Sequence, residues 1–408
     1  MQKVFFKRHW LIVVLLALYS LQGYANEQIT YAFIDSLSLV QYLNGDWDAV
    51  IQTGKIAQEN NIDYKLLQQR LGYAYFMKLA YYKSMHHYEN ALKFDSGDEI
   101  TRLYLYYNGL NTGRVAYARF HAAKLSNETK NYIELQNFRP LDAVDVEFSY
   151  KAPQNDLREH AFYKRFGLNS KLGYQFNLYQ SISEYNQTTS EVSPFAYSTL
   201  TRQNEYLALM SWNPSAKTSL SMGYHFVGTN IIIAPDTFYY PGNLFYGKLT
   251  RQLNRFDFSV SGATFNNDWI ETNQVGLHAG IGFAGKNNIY FKSSFIRMFE
   301  TGLDFETGLD NQTTRDVFKQ TAGIFLFKHL WTEASVTLGN LNHFIDNNGL
   351  YIYNSLDQTT FKSGMSAFGY LNKHLTLYIN YTFDKKLMVF TAQTYNQHAL
   401  SGGIIWKI

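Results

Sequence analysis

The chain has 408 residues and a formal net charge of +3; 46% of its residues are hydrophobic and 17% are charged. Its mean hydropathy of −0.28 excludes a polytopic helical membrane protein, which needs long apolar blocks. The absence of cysteine excludes disulfide frameworks, cysteine-ligated zinc, iron–sulfur clusters and thiol catalysis. Aromatic residues make up 17% of the chain, an excess over ordinary soluble proteins that requires an explanation.

Residues 1–25 have the pattern of a secretory signal peptide. Three cations (Lys3, Lys7 and Arg8) precede an apolar stretch at residues 10–21, which ends at the small-residue site Gly23-Tyr24-Ala25. The apolar stretch is too short to span a bilayer, so we expect cleavage rather than an uncleaved anchor. The three cations account for the whole net charge, so the mature chain has no electrostatic basis for binding nucleic acid.

Residues 26–139 predict a helical domain, because apolar residues recur there at helical spacing. No proline occurs before the segment Asn137-Phe138-Arg139-Pro140, which is typical of a helix stop and a linker. We therefore expect the domain boundary at this proline.

One unit of this region has the spacing of a helix–turn–helix repeat. Small and large residues occur in the order Leu71, Gly72, Tyr75, Ser84, Tyr88 and Ala91. The unit resembles a tetratricopeptide repeat, in which the small residues lie where two antiparallel helices cross and the rings fill the groove. Gln68 and Ser96 replace the tryptophan and the proline of that family. Partial matches on either side suggest about three repeats, and a plain helical bundle is the alternative.

From residue 140 to 408 the pattern changes to alternation, which predicts β-strands. Short polar breaks occur at residues 172–175, 213–217, 252–255, 285–288, 328–330 and 371–374. They recur at intervals of about 40 residues and alternate with long polar connections, as in an antiparallel barrel. These connections, which we expect to face outward, are residues 153–160, 188–198, 229–242, 266–272, 299–314, 342–358 and 385–395. The expected fold is α+β with two domains, TPR-like helices followed by a barrel of about 14 strands, possibly 12. We expect all six prolines to lie outside the strands.

The alternation places small polar and charged residues on one face of the strands, which favours an aqueous lumen and a lipid-facing exterior over a soluble sandwich. Ten charged or titratable residues are candidates for lining this lumen: Asp145, Glu147, Arg165, His225, Asp257, His278, Lys292, Lys319, Glu333 and Lys362. Rings near the strand ends predict belts at the lipid–water boundary, namely Tyr239, Tyr240, Phe245, Tyr246, Trp269, Trp331, Tyr351, Tyr353 and Trp406.

The histidines do not form a recognisable catalytic or metal-binding pattern. His86 and His87 are adjacent and point about 100° apart on a helix, so they cannot share one metal. His225 and His278 have no serine or acid in a catalytic setting nearby. The tandem copies of Phe-Glu-Thr-Gly-Leu-Asp at 299–310 read as a duplication in an exposed loop rather than a calcium site. We therefore expect no enzyme activity, no cofactor and no bound metal.

A periplasmic TPR-like domain joined to an outer-membrane barrel resembles the export porins for poly-N-acetylglucosamine and related exopolysaccharides, and the YaiO-type outer-membrane proteins. The last strand also resembles the terminal strand of outer-membrane proteins, with Ile408 in place of the usual phenylalanine.

The resemblance implies an outer-membrane channel or export component whose periplasmic domain docks a partner or cargo. The alternative is a non-conducting anchor or scaffold for a cell-envelope complex. Expected partners are outer-membrane lipid and a periplasmic protein or polymer, and not nucleic acid. The sequence leaves open the cargo, the oligomeric state and whether the lumen is open or plugged.

Overall fold

The structure is a computed structural model that describes residues 29–135, 138–191, 196–267, 269–303, 310–389 and 391–408. The predicted signal peptide lies outside these ranges. In the described residues seven α-helices precede the strands: α1 Tyr31–Leu43, α2 Trp47–Glu59, α3 Lys65–Met77, α4 Tyr81–Phe94, α5 Glu99–Asn111, α6 Val115–Ala122 and α7 Asn127–Tyr132. Among the described residues no helix has the length and apolar character needed to span a membrane.

Four of the seven described helices begin after a residue whose side chain accepts a backbone hydrogen bond. Asp46 and Asp98 cap α2 and α5, and their carboxylates accept from the amides of Ala49 and Thr101 at 3.1 and 2.8 Å. Each cap satisfies one of the amides that the first turn of a helix leaves unpaired. Gly45, with φ +72°, occupies the left-handed region and lets the chain reverse between α1 and α2.

The first six helices pack as three consecutive hairpins, and a close approach between α3 and α4 shows how they do so. A Cβ added to Gly72 would lie 2.8 Å from the ring of Tyr88, which is only 1% exposed. The hydroxyl of Ser84 donates to the carbonyl of Gly72 at 2.8 Å. Of the other predicted packing residues, Leu71 and Ala91 are buried, and Tyr75 stacks on His87.

We predict that Gly72→Ala destabilises the helical domain by about 1–3 kcal/mol, because overpacking against the buried ring outweighs the better helix propensity of alanine. The measurement is thermal unfolding of the full chain in detergent, followed by the helical circular dichroism signal. Gly97→Ala is the control, since its added Cβ meets nothing closer than a carboxylate oxygen at 3.5 Å. Equal melting temperatures for the two variants would contradict the predicted clash.

In the part of the chain that the structure describes, fourteen strands form a closed antiparallel barrel and two further strands form a small hairpin. The bounds are β1 Phe138–Pro153, β2 Ala161–Leu172, β3 Phe176–Glu191, β4 Tyr197–Ser215, β5 Thr218–Ile233, β6 Asp236–Leu253, β7 Phe256–Asn267, β8 Ile270–Phe283, β9 Ile289–Leu303, β10 Asp310–Phe327, β11 Leu330–Leu338, β12 Ile345–Asp346, β13 Tyr351–Ile352, β14 Gln358–Tyr370, β15 Leu375–Leu387 and β16 Thr394–Lys407. The barrel closes where β1 pairs with β16, from Ala143 opposite Lys407 to Pro153 opposite Gln397. The predicted α+β fold and strand count are confirmed.

The barrel is apolar outside and polar inside. On β1, Phe148 is 63% exposed, whereas its neighbours Glu147 and Ser149 are 7% and 9% exposed. On β8, Leu277 is 57% exposed and Gln274 is 4% exposed. An exterior of large apolar side chains is stable only against lipid, and closure of the sheet leaves no backbone edge unpaired there. The fold is that of an outer-membrane β-barrel with a helical N-terminal segment.

The expectation that every proline lies outside the strands is wrong. Pro140 and Pro214 lie inside β1 and β4, each within an irregular stretch where the register shifts. Pro153 is the last residue of β1 and pairs with β16, while the pairing of β1 with β2 ends at Lys151. Pro241 lies inside β6 and pairs with β5, whereas the pairing with β7 starts only at Gly242. Each of these four prolines therefore occupies a position where its missing N–H removes no regular hydrogen bond on at least one side.

Several predicted long connections are extended strands instead. The expected loop at residues 229–242 is mostly paired, because β5 ends at Ile233 and β6 begins at Asp236. Polar residues indicated a loop there, but a strand that continues past the membrane can carry polar residues on both faces while keeping its hydrogen bonds. Within the described ranges, the connection of residues 339–357 between β11 and β14 is the longest.

Candidate functional site: the lumen and its inner loop

The structure places the ten candidate lumen residues on the inward face of their strands. Nine of them engage one another or the groups around them, and Lys292 lines the cavity described below. Arg165 lies 2.8 Å from Glu147 and 3.3 Å from Asp145. Lys362 pairs with Asp384 at 3.0 Å, and Lys319 pairs with Asp346 at 2.7 Å. His225 lies 3.4 Å from Glu205, and Glu333 accepts a hydrogen bond from Tyr290. Asp257 contacts Arg114, and His278 contacts two serines. The wall is thus a charged network in which most charges are paired.

The lumen also contains a segment that the sequence analysis placed elsewhere. Residues 339–357, here named the inner loop, fold into the barrel rather than away from it. Gln274 of β8 bonds the backbone of Ile345 twice, at 2.9 and 3.1 Å, and His225 of β5 bonds the carbonyl of Gly349 at 2.8 Å. On the other side of the lumen, the Tyr351 hydroxyl lies 3.1 Å from Arg165 of β2. The inner loop therefore crosses the bore from wall to wall.

Apolar contacts hold the first half of the inner loop. Leu341 and Phe344 are at most 2% exposed and pack on Ile296, Met298 and Val317 of β9 and β10. A second apolar group of the wall, Val227, Leu244 and Phe265, packs on Ile345 of the same segment. Burial of a side chain such as Phe344 contributes about 1.5–3 kcal/mol of stabilising free energy. These contacts therefore favour one position of the inner loop in the lumen.

A buried ion-pair cluster holds the second half of the inner loop. Arg158, in the connection between β1 and β2, donates to Asp357 at 2.5 and 3.0 Å and to Glu191 at 2.6 Å. All three side chains are at most 3% exposed. Tyr395 of β16 donates to the same Asp357 carboxylate at 2.8 Å. The cluster links the β1–β2 connection and β16 to Asp357, the residue at which the inner loop leaves the lumen.

Part of the predicted aromatic belt is therefore wrong. Tyr351 and Tyr353 belong to the inner loop, Tyr246 is 8% exposed and bonds Asn348, and Trp331 lines the cavity described below. These rings explain part of the aromatic excess through packing inside the bore. Their sequence signal is the cluster of apolar residues in residues 341–353, which a connection exposed to water would not need.

Below the inner loop is a cavity of about 600 Å³. Its wall comes mainly from β6 to β9 and includes Lys248, Asp257, His278 and Lys292. The helical domain contributes Tyr82 and several further residues to the lining. Sequence reasoning missed Lys248, although it lies on the same face of β6 as the buried Leu244.

The helical domain lies across the end of the barrel that carries the short turns. Arg114 contacts Asp257 at 3.2 Å and lies over the ring of Tyr82. Lys217 in the β4–β5 turn pairs with Glu89 of α4 at 2.7 Å. Asn288 before β9 donates to the carbonyl of Asn111 at 2.7 Å. These contacts bring α4, α5 and the start of α6 against the mouth of the bore, where Tyr82 and Arg114 line the cavity.

No metal-binding arrangement is present in the described ranges, where no three His, Asp or Glu side chains group as ligands would. The acids of the tandem hexapeptide fall partly on residues 304–309, outside those ranges. His86 and His87 contact different neighbours: His87 meets Gln68 at 2.8 Å and His86 meets Asn90.

The structure was compared with known proteins. Comparison with protein-family models and with curated proteins found no match. Among solved structures, the chain is similar to a deletion mutant (deltaS2S3) of the monoaromatic hydrocarbon channel TodX, with 8% identity, 66% of this chain and 91% of that chain covered, and a TM-score of 0.47.

Two further similar structures are the Ralstonia pickettii toluene transporter TbuX (8% identity, 66% and 90% covered, TM-score 0.43) and the translocator domain of the autotransporter NalP from Neisseria meningitidis (11% identity, 74% and 99% covered, TM-score 0.37). Similarity at this level transfers no function to the chain.

We predict that Arg158→Leu releases the second half of the inner loop. The change leaves two buried carboxylates without their cation, which costs about 3–5 kcal/mol. The measurement is hydrogen–deuterium exchange of the amides at 350–357 in the folded protein in detergent. Arg297→Leu is the control, because its bidentate pair with Asp316 is about half exposed and such pairs contribute at most about 1 kcal/mol. Unchanged exchange in Arg158→Leu would show that the cluster does not hold the loop.

Burial also gives the helical domain a pH dependence. Desolvation, with a smaller contribution from the neighbouring His86 charge, lowers the pKa of His87 from 6.5 to about 4. Asp63 opposes this shift and Lys83 adds to it. Burial between two rings likewise lowers the pKa of His121 to about 3.

The unfolded chain takes up these protons at higher pH than the folded domain does. The free energy of unfolding of the helical domain is therefore highest above pH 6.5 and falls as the pH drops toward 4. His87→Gln should remove up to about 3 kcal/mol of this decrease in the free energy of unfolding. The measurement is the melting temperature of the helical signal between pH 7.5 and 4.5. His374→Gln, at an exposed turn of the barrel, is the control and should keep the wild-type slope; an unaltered slope in His87→Gln would contradict the prediction.

Proposed function

We propose that the protein is an outer-membrane channel whose bore the inner loop closes at rest, with the helical domain on the periplasmic side. The observation that carries this proposal is the cavity of about 600 Å³ with a polar and charged wall. A barrel that served only as an anchor could fill its interior with side chains, as small barrels do. This interior instead keeps room for a solute beside charged groups.

The inner loop has the attachment that a movable element needs. Its hairpin strands β12 and β13 pair with each other, and it is held to the wall by apolar contacts, hydrogen bonds and ion pairs rather than by a continuous backbone ladder. The loop can therefore leave the bore without breaking the ladder of the barrel. The flanking strands stay joined, since Leu338 at the end of β11 pairs with Phe361 of β14.

The proposed sidedness rests on the even strand number and on the helical domain. Fourteen strands bring the start of β1 and the end of β16 to the same end of the barrel. The helices precede β1 and contact the short turns at that end, for example through Lys217 and Asn288. Short turns face the periplasm in outer-membrane barrels, so we assign the helical domain to that side.

The helical domain is proposed to receive a periplasmic partner or cargo through TPR-like repeats. Support comes from the three hairpins and from the close approach of α3 and α4 at Gly72 and Ser84, which has the small-residue packing of such repeats. Tyr82 and Arg114 extend from this domain to the cavity. A cargo held by the helices would therefore lie directly below the bore.

A second candidate is a non-conducting anchor that holds the helical domain at the membrane. The observation in its favour is that the inner loop crosses the bore from wall to wall. The two candidates differ in one property: removal of the inner loop opens a channel but leaves an anchor closed.

We predict that replacement of residues 340–356 by Gly-Ser-Gly converts a mostly closed protein into one with stable ion-sized openings. The adjacent ends of β11 and β14 allow a short turn to close this deletion. The measurement is single-channel conductance in planar bilayers. The control is removal of one copy of the tandem hexapeptide, residues 305–310, which also shortens a connection and should leave the traces closed. Closed traces for the inner-loop deletion would favour the anchor.

A further inference from the structure

Two lysines in the cavity have no carboxylate partner. Lys248 of β6 and Lys292 of β9 both line it, and among the described residues neither has an acidic oxygen within 4.0 Å. Lys248 makes a hydrogen bond to the amide oxygen of Asn348 at 3.3 Å. Both side chains belong to the lining of the same cavity. Two cations on one cavity wall are stabilised by an anion that contacts both.

The carboxylates around the cavity are engaged elsewhere. Asp257 is held by Arg114 of the helical domain at 3.2 Å. Asp346 of the inner loop is held by Lys319 at 2.7 Å, and Glu333 accepts the hydroxyl of Tyr290. None of these groups is directed to Lys248 or Lys292 within ion-pair distance. The positive charge of the two lysines is therefore available to a bound molecule.

The rest of the lining indicates the body of that molecule. The rings of Tyr290 and Trp331 stack in parallel with centroids 5.6 Å apart, and both line the cavity. Thr250, Gln252 and Ser259 add hydroxyl and amide groups to the same lining. Flat rings beside hydrogen-bonding groups suit a ring-shaped body with hydroxyl groups, and the cavity volume is that of a small-molecule site.

We propose that this cavity binds a hydroxylated organic anion of about the size of a sugar acid, with its carboxylate or phosphate between Lys248 and Lys292. The ring lies toward the aromatic pair, and its hydroxyls bond the polar side chains of β6 and β7. The inference deepens the channel function by naming the class of solute, and its transport meaning rests on that function. The binding itself does not depend on whether the channel conducts.

Isothermal titration calorimetry of the full chain in detergent tests the proposal with three probes: glucuronate, glucose 6-phosphate and glucose. At least one of the two anions should bind, at least about tenfold more tightly than neutral glucose, and its affinity should fall at high salt. Binding of glucuronate alone identifies a carboxylate ligand, and binding of glucose 6-phosphate alone identifies a phosphate ligand. Failure of both anions to bind more tightly than glucose overturns the proposal.

The double variant Lys248→Met and Lys292→Met should lower the affinity for the bound anion at least about tenfold. Lys164→Met is the matched control, because Lys164 is on the outer face, 60% exposed and paired with Glu184. It should bind as the wild type does. Folding of each variant is checked by the gel shift on heating, and Lys292→Met alone replaces the double variant if that fails to fold. Wild-type affinity in a folded lysine variant overturns the proposal.

Binding and conductance fail independently. Loss of anion binding with stable openings in the loop deletion overturns this inference and leaves the channel standing. Anion binding with no conductance in the loop deletion overturns the channel and leaves a binding site on an anchor.

Discussion

The structure depends on one constraint: in lipid, every backbone amide and carbonyl of the sheet must find a partner within the protein. The pairing of β1 with β16 meets this constraint by removing both edges. Once the sheet is closed, its two faces meet different surroundings. The outward face carries large apolar side chains such as Phe148 and Leu277, and the inward face collects the charges. The polar interior follows from closure.

A polar interior creates a second requirement, because charges in a narrow bore must be paired or hydrated. The wall meets it in three ways. Arg165 is paired with acids of β1, and Arg158 is paired with two buried carboxylates at the rim. Asp346 of the inner loop neutralises Lys319. The inner loop is thus part of the charge balance of the bore as well as an obstacle in it, which makes its position specific.

The helical domain and the inner loop each contact a residue that lines the cavity. Arg114 joins the helices to Asp257 of the wall, while Asn348 of the inner loop contacts Lys248. Lys248 and Asp257 both line the cavity. The groups that the helices and the inner loop contact therefore lie on the wall of one cavity.

The sequence by itself determined the class of the fold. Alternation in segments such as residues 144–150 specifies the two faces of each strand, and the turn spacing specifies the strand number, because both depend on local periodicity. The inward direction of His225, His278 and Lys292 follows from the same parity. Close packing at Gly72 and Ser84 was also readable, since the residue sizes themselves indicate where helices cross.

Only the tertiary structure decided what fills the bore. The inner loop reaches β2, β5 and β8, which are far from it in sequence, and no local pattern encodes such contacts. The same reason explains why Tyr351 was taken for a membrane-belt residue, why Pro241 could lie inside a strand, and why Lys248 and Arg114 were not selected. Periodicity fixes the face on which a side chain lies, whereas its partner depends on how the sheet closes around it.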